Sequence, residues 1–278
     1  MKPAFLFFPE HLEDARISIV GAPYDLNSSR RYGSKYAPRY IREESLYLED
    51  NFLGISLDLS VEDVGDVEAK NWNVFRKSLS ETVSVITRKG SVPLVMGGDH
   101  SITPAVIEAV KRKDISLVSI DAHLDFDDVL NGSRFSHGTP RRREAEILGG
   151  DRIHIIGIRS WPETSRKEAE DMGVRIHDVL EIREKGIENI PLPDGPVYLS
   201  IDMDGIDPAY APGTGTPEPF GLNPWDVLSI IHKLAGRSVG MDIVEVCPDC
   251  DINGMTSTLA SRLMAGFISS FFSEKERH

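Results

Sequence analysis

Short apolar segments recur along this chain, and their alternation with helical patterns constrains the fold more than any other feature. They lie at residues 17–20, 92–96, 115–120, 153–158, 197–201 and 239–246. Between segments the apolar residues change to helical spacing, as at Phe75, Leu79, Val83 and Ile86. Parallel strands need crossover connections, which are usually helical, so this alternation is typical of a parallel sheet between helices. We therefore expect a three-layer α/β/α protein with a central, mostly parallel sheet of about eight strands.

Proline, asparagine and glycine mark the ends of the expected helices. Pro38 is expected to open a helix that runs to about Asp50. Asn223 is expected to cap a later helix, which ends at Gly236. The apolar stretch 255–272 contains a charged residue and many Ser and Thr, so it predicts a packed terminal helix and not a membrane span.

Composition limits the size and the partners of the protein. With 278 residues, 40% of them hydrophobic, the chain can form one large domain, and we expect residues 1–278 to be a single domain. The formal net charge of −13 argues against nucleic acid or an anionic membrane as a partner and suits a cationic ligand, although ordinary solubility explains it equally well. The apolar run 4–8 is too short for a signal peptide, so we expect a cytoplasmic protein.

Acidic and histidine residues follow four of the apolar segments, at the point where each segment ends. Asp99 and His100 follow 92–96, Asp121, His123 and Asp125 follow 115–120, Asp202 and Asp204 follow 197–201, and Glu245 follows Val244. Because ligands bind beyond the carboxyl ends of parallel strands, these side chains are expected to meet at one edge of the sheet. Residues two apart in an extended chain point to the same side, so Asp121, His123 and Asp125 are expected to converge.

Such a concentration of carboxylates at the rim of an apolar sheet needs cations. Crowded carboxylates repel one another and are poorly solvated unless they are protonated or neutralised, and two divalent cations would balance four of them. Oxygen-rich ligands with one imidazole per metal favour manganese or magnesium over zinc, which prefers Cys and His. For the D-x-H-x-D segment alone, a solvated loop with chance acids is the alternative, and the D-x-D and G-G-D-H segments weaken it.

Three segments together resemble the ureohydrolase family of arginases and agmatinases: G-G-D-H at 97–100, D-A-H-x-D at 121–125 and S-x-D-x-D-x-x-D-P at 200–208. The likeness extends to 21–25, 136–139, 211–217 and 242–246, and so covers nearly the whole chain. It implies the arginase/deacetylase-like fold and the hydrolysis of a guanidino compound. Acetyl-lysine deacetylases resemble this fold but need a single zinc site, so the doubled aspartate set disfavours them.

The resemblance also implies a binuclear manganese site. One Mn²⁺ would be bound by His100, Asp121, Asp125 and Asp202, and the other by Asp121, His123, Asp202 and Asp204. Asp121 and Asp202 would bridge the two ions. In the implied mechanism a hydroxide held between the ions attacks the guanidinium carbon, while Asp125 accepts a hydrogen bond from the hydroxide. Glu245 would hold the guanidinium, and His137 would pass a proton to the leaving amine; taken singly, they could be a strand-end surface acid and a loop histidine.

The segments 23–42 and 126–135 resemble agmatinases more than arginases. Agmatine is therefore the expected substrate, with urea and putrescine as products and polyamine synthesis as the pathway. Asp127 or Asp128, in the second segment, is a hypothetical partner of the terminal ammonium of agmatine. The alternatives are another amidinohydrolase, acting on guanidinobutyrate or arginine, and a metal-binding protein without turnover. The family also implies a homo-oligomer, either a trimer or a hexamer.

Three positions depart from the family's pattern without removing a metal ligand. Leu124 stands where many relatives carry a small polar residue, Phe220 where glycine is usual and Cys247 where Asn is common. Cys247 and Cys250 form a lone C-x-x-C segment, which we interpret as reduced and structural. A redox pair and half of a zinc site are the alternatives.

The remaining motif acids and histidines are given supporting roles. Asp99 and Asp207 are expected to support the ligands and their loops. The other histidines lack a ligand-like setting and are expected to be structural or on the surface: His11, His154, His177, His232 and His278.

Overall fold

The computed structural model describes residues 4–26, 28, 30–49, 51–52, 55–56, 60–69, 71–112 and 114–275. Within these residues, eight strands form one sheet in which every pair of neighbours is parallel. The strands are β1 (Ile17–Gly21), β4 (Val61–Asp66), β5 (Val92–Met96), β6 (Ser116–Ile120), β7 (Ile153–Ile158), β8 (Arg175–Asp178), β9 (Val197–Asp202) and β10 (Ser238–Val244). The short strands β2 (Asn51–Phe52) and β3 (Ile55–Ser56) form a separate antiparallel pair. This parallel sheet confirms the fold class expected from the sequence.

Helices cover both faces of the sheet. They are α1 (Ala37–Ser45), α2 (Trp72–Arg88), α3 (Thr103–Val110), α4 (Pro140–Leu148), α5 (Glu163–Asp171), α6 (Val179–Lys185), α7 (Pro224–Leu234) and α8 (Met255–Lys275). Buried residues of α1, α6, α7 and α8 belong to one apolar cluster, and those of α2, α3, α4 and α5 belong to a second. The two clusters lie on opposite faces of the sheet, which gives the three layers.

Side-chain alternation along the strands explains why both faces are apolar. In β5, Leu94 and Met96 belong to the first cluster, whereas Val95, between them, belongs to the second. Ile19 and Val20 of β1 are divided in the same way. Successive side chains of a strand point to opposite faces, so a strand buried on both sides is a continuous apolar run. This is the pattern from which the interior strands are predicted.

Helix α1 is tied to the edge strand β4 by a buried ion pair. The guanidinium of Arg42 donates to both carboxylate oxygens of Asp63, at 2.7 and 2.8 Å, and to Asp66 at 2.6 Å. The side chains of Arg42 and Asp63 are 4% and 1% exposed. The helix begins at Ala37, one residue before the expected Pro38, and ends at Ser45; Asp50, the expected end, lies outside the described residues.

The caps of the other helices follow the sequence signals. Asn223 forms a capping box with Asp226 at the start of α7, which ends at Leu234, two residues before the glycine expected to end it. Gly90, after α2, has a φ of +83°, a conformation that glycine adopts without strain. The C-terminal helix α8 packs into the first cluster, as expected. None of the described helices is long and apolar enough to cross a membrane.

Candidate metal centre

The carboxyl ends of four neighbouring strands meet at one edge of the sheet. Strands β5, β10, β9 and β6 are consecutive in the order β4-β1-β5-β10-β9-β6-β7-β8. His100 comes shortly after β5, Asp121 directly follows β6, Asp202 ends β9 and Glu245 follows β10. Since the strands are parallel, their carboxyl ends lie side by side. The structure therefore brings together the residues that the sequence marks as candidate ligands.

His100 lies at the centre of the first group of possible metal ligands, which also contains Asp121, Asp125 and Asp202. Its Nδ1 atom is 2.9 Å from Asp202 Oδ2, 3.3 Å from Asp121 Oδ2 and 3.6 Å from Asp125 Oδ2. His100 and Asp121 are fully buried. One possible ligand atom from each residue lies within 4.8 Å of the others, a spacing at which four residues can share one ion.

Asp121, His123 and Asp204 form a second group. The Nδ1 atom of His123 lies 3.0 Å from Asp204 Oδ2, and the main-chain N–H of His123 donates to Asp121 Oδ1 at 2.7 Å. Asp121 thus belongs to both groups, as a bridging residue would. Among the described residues, Asp202 belongs to the first group alone, and its Oδ1 atom accepts a hydrogen bond from the main-chain N–H of Asp204 at 2.8 Å.

The backbone reaches this arrangement through turns. Asp121, His123 and Asp125 converge as expected, but the segment after β6 is not an extended strand. Asp125 and Glu245 have φ angles of 49° and 64°, in the left-handed region that is unfavourable for non-glycine residues. Asp204 lies in a single turn of 3₁₀-helix. Strained backbone of this kind is concentrated at functional sites.

The site has more negative charge than its own cations can balance. Burial raises the pKa of Asp121, and the neighbouring Asp125 and Asp204 raise it further. Burial also raises the pKa of Asp202, with added repulsion from Asp204 and Asp121. Burial lowers the pKa of His123, but the surrounding carboxylates, Asp204 first, outweigh burial and raise it to about 10. These shifts are those of crowded acids that need further positive charge.

The buried donor atoms fit divalent metal ions. His100 Nδ1 and Asp121 Oδ2 are buried and lie close to other polar atoms of the site, but neither atom has the geometry of a hydrogen bond with any described residue. Buried polar atoms without partners are rare in proteins unless they bind water or an ion. The two groups supply mostly carboxylate oxygen with one imidazole each, which suits hard cations such as manganese or magnesium. The residues present therefore fit a binuclear metal site.

A cavity of about 420 Å³ opens over both groups. It is lined by ligand residues of both groups, by Glu245 and His137, and by residues of the loop after β6 and the segment after β7: His123, Leu124, Asp125, Phe126, Asp127, Leu130, His137, Gly138, Ser160, Trp161, Pro162, Asp202, Asp204, Thr216 and Glu245. Five of these lining residues are acidic, and none is Lys or Arg. The walls therefore favour cationic ligands.

The two acids of the loop after β6 differ in their surroundings. Asp127 lines the cavity, is partly buried, and accepts a hydrogen bond from the Ser165 hydroxyl at 2.6 Å. Asp128 lies outside the cavity lining and pairs with Arg143 at 2.6 Å and Arg134 at 3.6 Å. Of the two hypothetical ammonium partners, Asp127 is therefore the one that faces the cavity.

The supporting residues hold the loops of the site. Asp99 Oδ1 accepts the main-chain N–H of Ser101 at 3.1 Å, and Asp207 accepts the main-chain N–H of Gly221 at 3.0 Å. Two of the histidines expected to be structural, His154 and His177, stack their rings on one another. His278 lies outside the described residues.

The sequence patterns did not single out two residues that contact the ligand loops. Glu218 Oε1 lies 3.7 Å from His123 Nε2, and Arg159 donates to the main-chain oxygen of Asp204 at 2.6 Å. Arg159 directly follows β7. The rule that marks the ligands, polar residues at strand ends, could have marked Arg159 as well.

The chain is similar to known proteins in both sequence and structure. A model of the arginase family matches residues 15–269. The mitochondrial agmatinase of Gallus gallus is 39% identical over 89% of the chain and 78% of its own length. The guanidinobutyrase of Pseudomonas aeruginosa is 36% identical over 92% of the chain and 86% of its own length. The crystal structure of the agmatine ureohydrolase of Thermoplasma volcanium superposes with a TM-score of 0.92 at 38% identity, covering 100% of this chain and 96% of that one.

Proposed function

The chain belongs to the arginase family, and from that premise we propose that it hydrolyses agmatine to urea and putrescine with two manganese ions. Its relatives identify it as a hydrolase that acts on guanidino compounds. The observation that carries the choice of agmatine is the charge of the cavity, whose acidic lining contains no Lys or Arg among the described residues.

Agmatine carries a positive charge at each end, a guanidinium and an ammonium. Glu245, directly after β10, and Asp127, in the loop after β6, are cavity carboxylates outside the two candidate ligand groups. Guanidinobutyrate has a carboxylate where agmatine has the ammonium, and that carboxylate would meet Asp127 with no Lys or Arg in the lining to offset it. Like-charge contacts of this kind disfavour a ligand.

The metal ions are assigned to the residues expected from the sequence. His100, Asp125 and Asp202 would hold one ion, His123 and Asp204 the other, and Asp121 both. Asp202, which the sequence also gives to the second ion, belongs to the first group alone among the described residues. When bound, two such ions lower the pKa of a water molecule and supply a nucleophile at neutral pH. Thr216 Oγ1 donates to Asp204 Oδ2 at 3.0 Å and so holds that carboxylate in place. Side chains that fix ligands in this way increase metal affinity.

Glu245 is the residue that orients the substrate. Its Oε1 atom accepts the main-chain N–H of His100 at 2.8 Å, which fixes the carboxylate beside the first ligand group. Burial raises the pKa of Glu245, with added repulsion from Asp99, so a cation beside it is strongly favoured. A guanidinium can donate two parallel N–H bonds to one carboxylate, and this holds its central carbon over the ligand groups.

Asp125 and His137 orient the attacking water and transfer its proton. Asp125 accepts a hydrogen bond from the attacking water and keeps its lone pair directed at the guanidinium carbon. Burial lowers the pKa of His137, and His123 lowers it further, which favours the neutral form of its imidazole. A neutral imidazole can take the proton released by the water and deliver it to the departing amine. His137 lines the same cavity as Asp125.

A panel of guanidino compounds tests this proposal. The chelated and the manganese-loaded protein would be assayed for urea with agmatine, 4-guanidinobutyrate, arginine and the neutral-tailed butylguanidine. We expect urea from agmatine with the highest kcat/KM, dependence on added manganese, and two ions per chain by elemental analysis. A higher kcat/KM for guanidinobutyrate would favour the activity of the Pseudomonas relative instead. No urea from any compound would contradict catalysis by this site.

A further inference from the structure

The side chain of Arg159 lies beside the candidate metal centre and binds main-chain oxygens only. Its guanidinium donates to five carbonyl groups at 3.1 Å or less, those of Gly157, Asp204, Gly205, Glu218 and Pro219. Among the described residues no carboxylate lies within ion-pair distance of it. An arginine has five N–H donors in a rigid planar fork, so these contacts use its whole donor set.

The five acceptors belong to three separate segments. Gly157 lies in β7, Asp204 and Gly205 form the turn after β9, and Glu218 and Pro219 lie in the loop that follows Thr216. The main-chain N–H of Arg159 also donates to the carbonyl of Ala122 at 2.9 Å, within the D-A-H segment. Arg159 therefore joins the two ligand-bearing segments and the loop after Thr216 at one point.

Residues 216–221, which we call the 216–221 loop, pack closely on Arg159. A Cβ atom added at Gly221 would lie 2.6 Å from Arg159 Nη2 and 2.5 Å from the main-chain nitrogen of Asp207. Two side chains at the start of the loop reach the ligands: Thr216 donates to Asp204 Oδ2, and Glu218 lies 3.7 Å from His123 Nε2. The position of the loop therefore decides where these two groups stand relative to the second ligand group.

We propose that Arg159 is a positioning residue that fixes the 216–221 loop against the Asp204 turn, and so orients the second ligand group for metal binding and hydrolysis. The proposal rests on the proposed function of the site. Arg159 lies outside the cavity lining and both ligand groups. Arg159 acts through its hydrogen bonds to main-chain carbonyls. A lysine cannot reproduce these bonds, because its three donors are on one atom.

Two variants and one matched control separate geometry from charge. Arg159→Lys keeps the positive charge and loses the fork, whereas Arg159→Gln loses the charge and keeps two donors. The control is Arg237→Lys, because Arg237 also donates to main-chain carbonyls, those of Pro193 and Gly195, just before β10 at the opposite edge of the sheet. Each protein would be examined full-length for thermal unfolding, amide hydrogen exchange, manganese affinity by calorimetry after chelation, and kcat and KM for agmatine.

In Arg159→Lys we expect faster exchange confined to residues 203–207 and 216–222, with the amides of β5 unchanged. Manganese affinity should fall about 10–100-fold, as for other residues that support metal ligands. The kcat should fall about 100-fold while KM changes less than about threefold, because misplacement by ~1 Å acts on the reacting geometry. Arg159→Gln should behave in the same way, and Arg237→Lys should match the wild type in exchange rates, manganese affinity, kcat and KM.

The proposal would be overturned if Arg159→Lys had the same exchange rates, manganese affinity and kcat as the wild type. Wild-type behaviour of Arg159→Lys with loss only in Arg159→Gln would also overturn it, in favour of a purely electrostatic role. Failure of both variants to unfold cooperatively, with Arg237→Lys folded, would assign Arg159 to general stability instead. If the wild type releases no urea from any guanidino compound, the proposed function fails, and the exchange and calorimetric results still decide the role of Arg159.

Discussion

Replacing Asp127 by asparagine should reduce the preference for a substrate with a cationic tail. The change is nearly isosteric, and the amide oxygen of the new side chain can still accept the Ser165 hydroxyl that Asp127 accepts at 2.6 Å. Only the charge in the cavity wall changes. Asp128→Asn is the matched control, because Asp128 lies one residue away, outside the cavity lining, and is already paired with Arg143.

The burial of Asp127 sets the size of the effect. Two unit charges 4 Å apart attract by about 1 kcal/mol in water and about 4 kcal/mol at the effective dielectric of a protein surface. Asp127 is partly buried and hydrogen-bonded, so an intermediate value of about 2 kcal/mol is reasonable. That energy corresponds to roughly 30-fold in kcat/KM. Asp128 is exposed and salt-bridged, and its loss should change substrate preference less than about twofold.

The assay compares agmatine with butylguanidine, which has the same guanidinium and a neutral tail. Urea release would be measured for both compounds in the manganese-loaded wild type, Asp127→Asn and Asp128→Asn. The ratio of the two kcat/KM values cancels any general effect on catalysis. An unchanged ratio in Asp127→Asn, or an equal fall in Asp128→Asn, would refute the assignment of Asp127 to the ammonium.

Three further predictions concern metal binding, the reactivity of a thiol and the stability of the fold. Because the pKa values of Asp121 and Asp202 are raised, their contribution to the stability of the metal-free protein is full below the unfolded value of ~4 and is lost as the pH rises. The increase in thermal midpoint on adding manganese should therefore grow from pH 5 to 8, and a constant increase would contradict this prediction. Burial and then the hydrogen bond to Cys250 raise the pKa of Cys247 to about 12. Iodoacetamide at pH 8 should therefore modify the Cys247 thiol about a thousandfold more slowly than in the unfolded chain. Mass spectrometry of the alkylated peptides measures this rate. Asp63→Asn should destabilise the fold by about 3 kcal/mol in urea unfolding, because it leaves Arg42 buried without its bidentate partner; a loss below about 1 kcal/mol would contradict that.

The interior of the fold could be predicted from the sequence, and its edges could not. Strands buried on both faces, such as β5 and β6, are continuous apolar runs and stand out. The edge strands β4 and β8 contain charged residues, because each has a neighbour on one side only and part of each strand is not fully buried. Asp63 in β4 is polar for a specific reason, its pairing with Arg42, which no periodicity reveals.

The side chains of the candidate site could be predicted from the sequence, whereas its backbone conformation and main-chain contacts could not. Carboxylates and histidines at strand ends indicate a metal site because their positions follow from the sheet. The positive φ angles of Asp125 and Glu245 could not be predicted, since most Asp residues and nearly all Glu residues have negative φ angles. Arg159 was missed because all its side-chain partners are main-chain carbonyls, which every residue type supplies.

The charge balance of the cavity links the metal to the substrate. Two divalent ions would offset four carboxylates, those of Asp121, Asp125, Asp202 and Asp204, and would leave two acids in the lining, Glu245 and Asp127. Agmatine carries two positive charges, arginine a net single charge, and guanidinobutyrate none. Of the three compounds, only agmatine offers two positive charges to these acids without a carboxylate of its own, and without the ions it would also lie beside the four ligand acids. Removing the metals should therefore abolish turnover while agmatine still binds, whereas in the loaded protein its binding should weaken as salt rises, because both contacts are between charges.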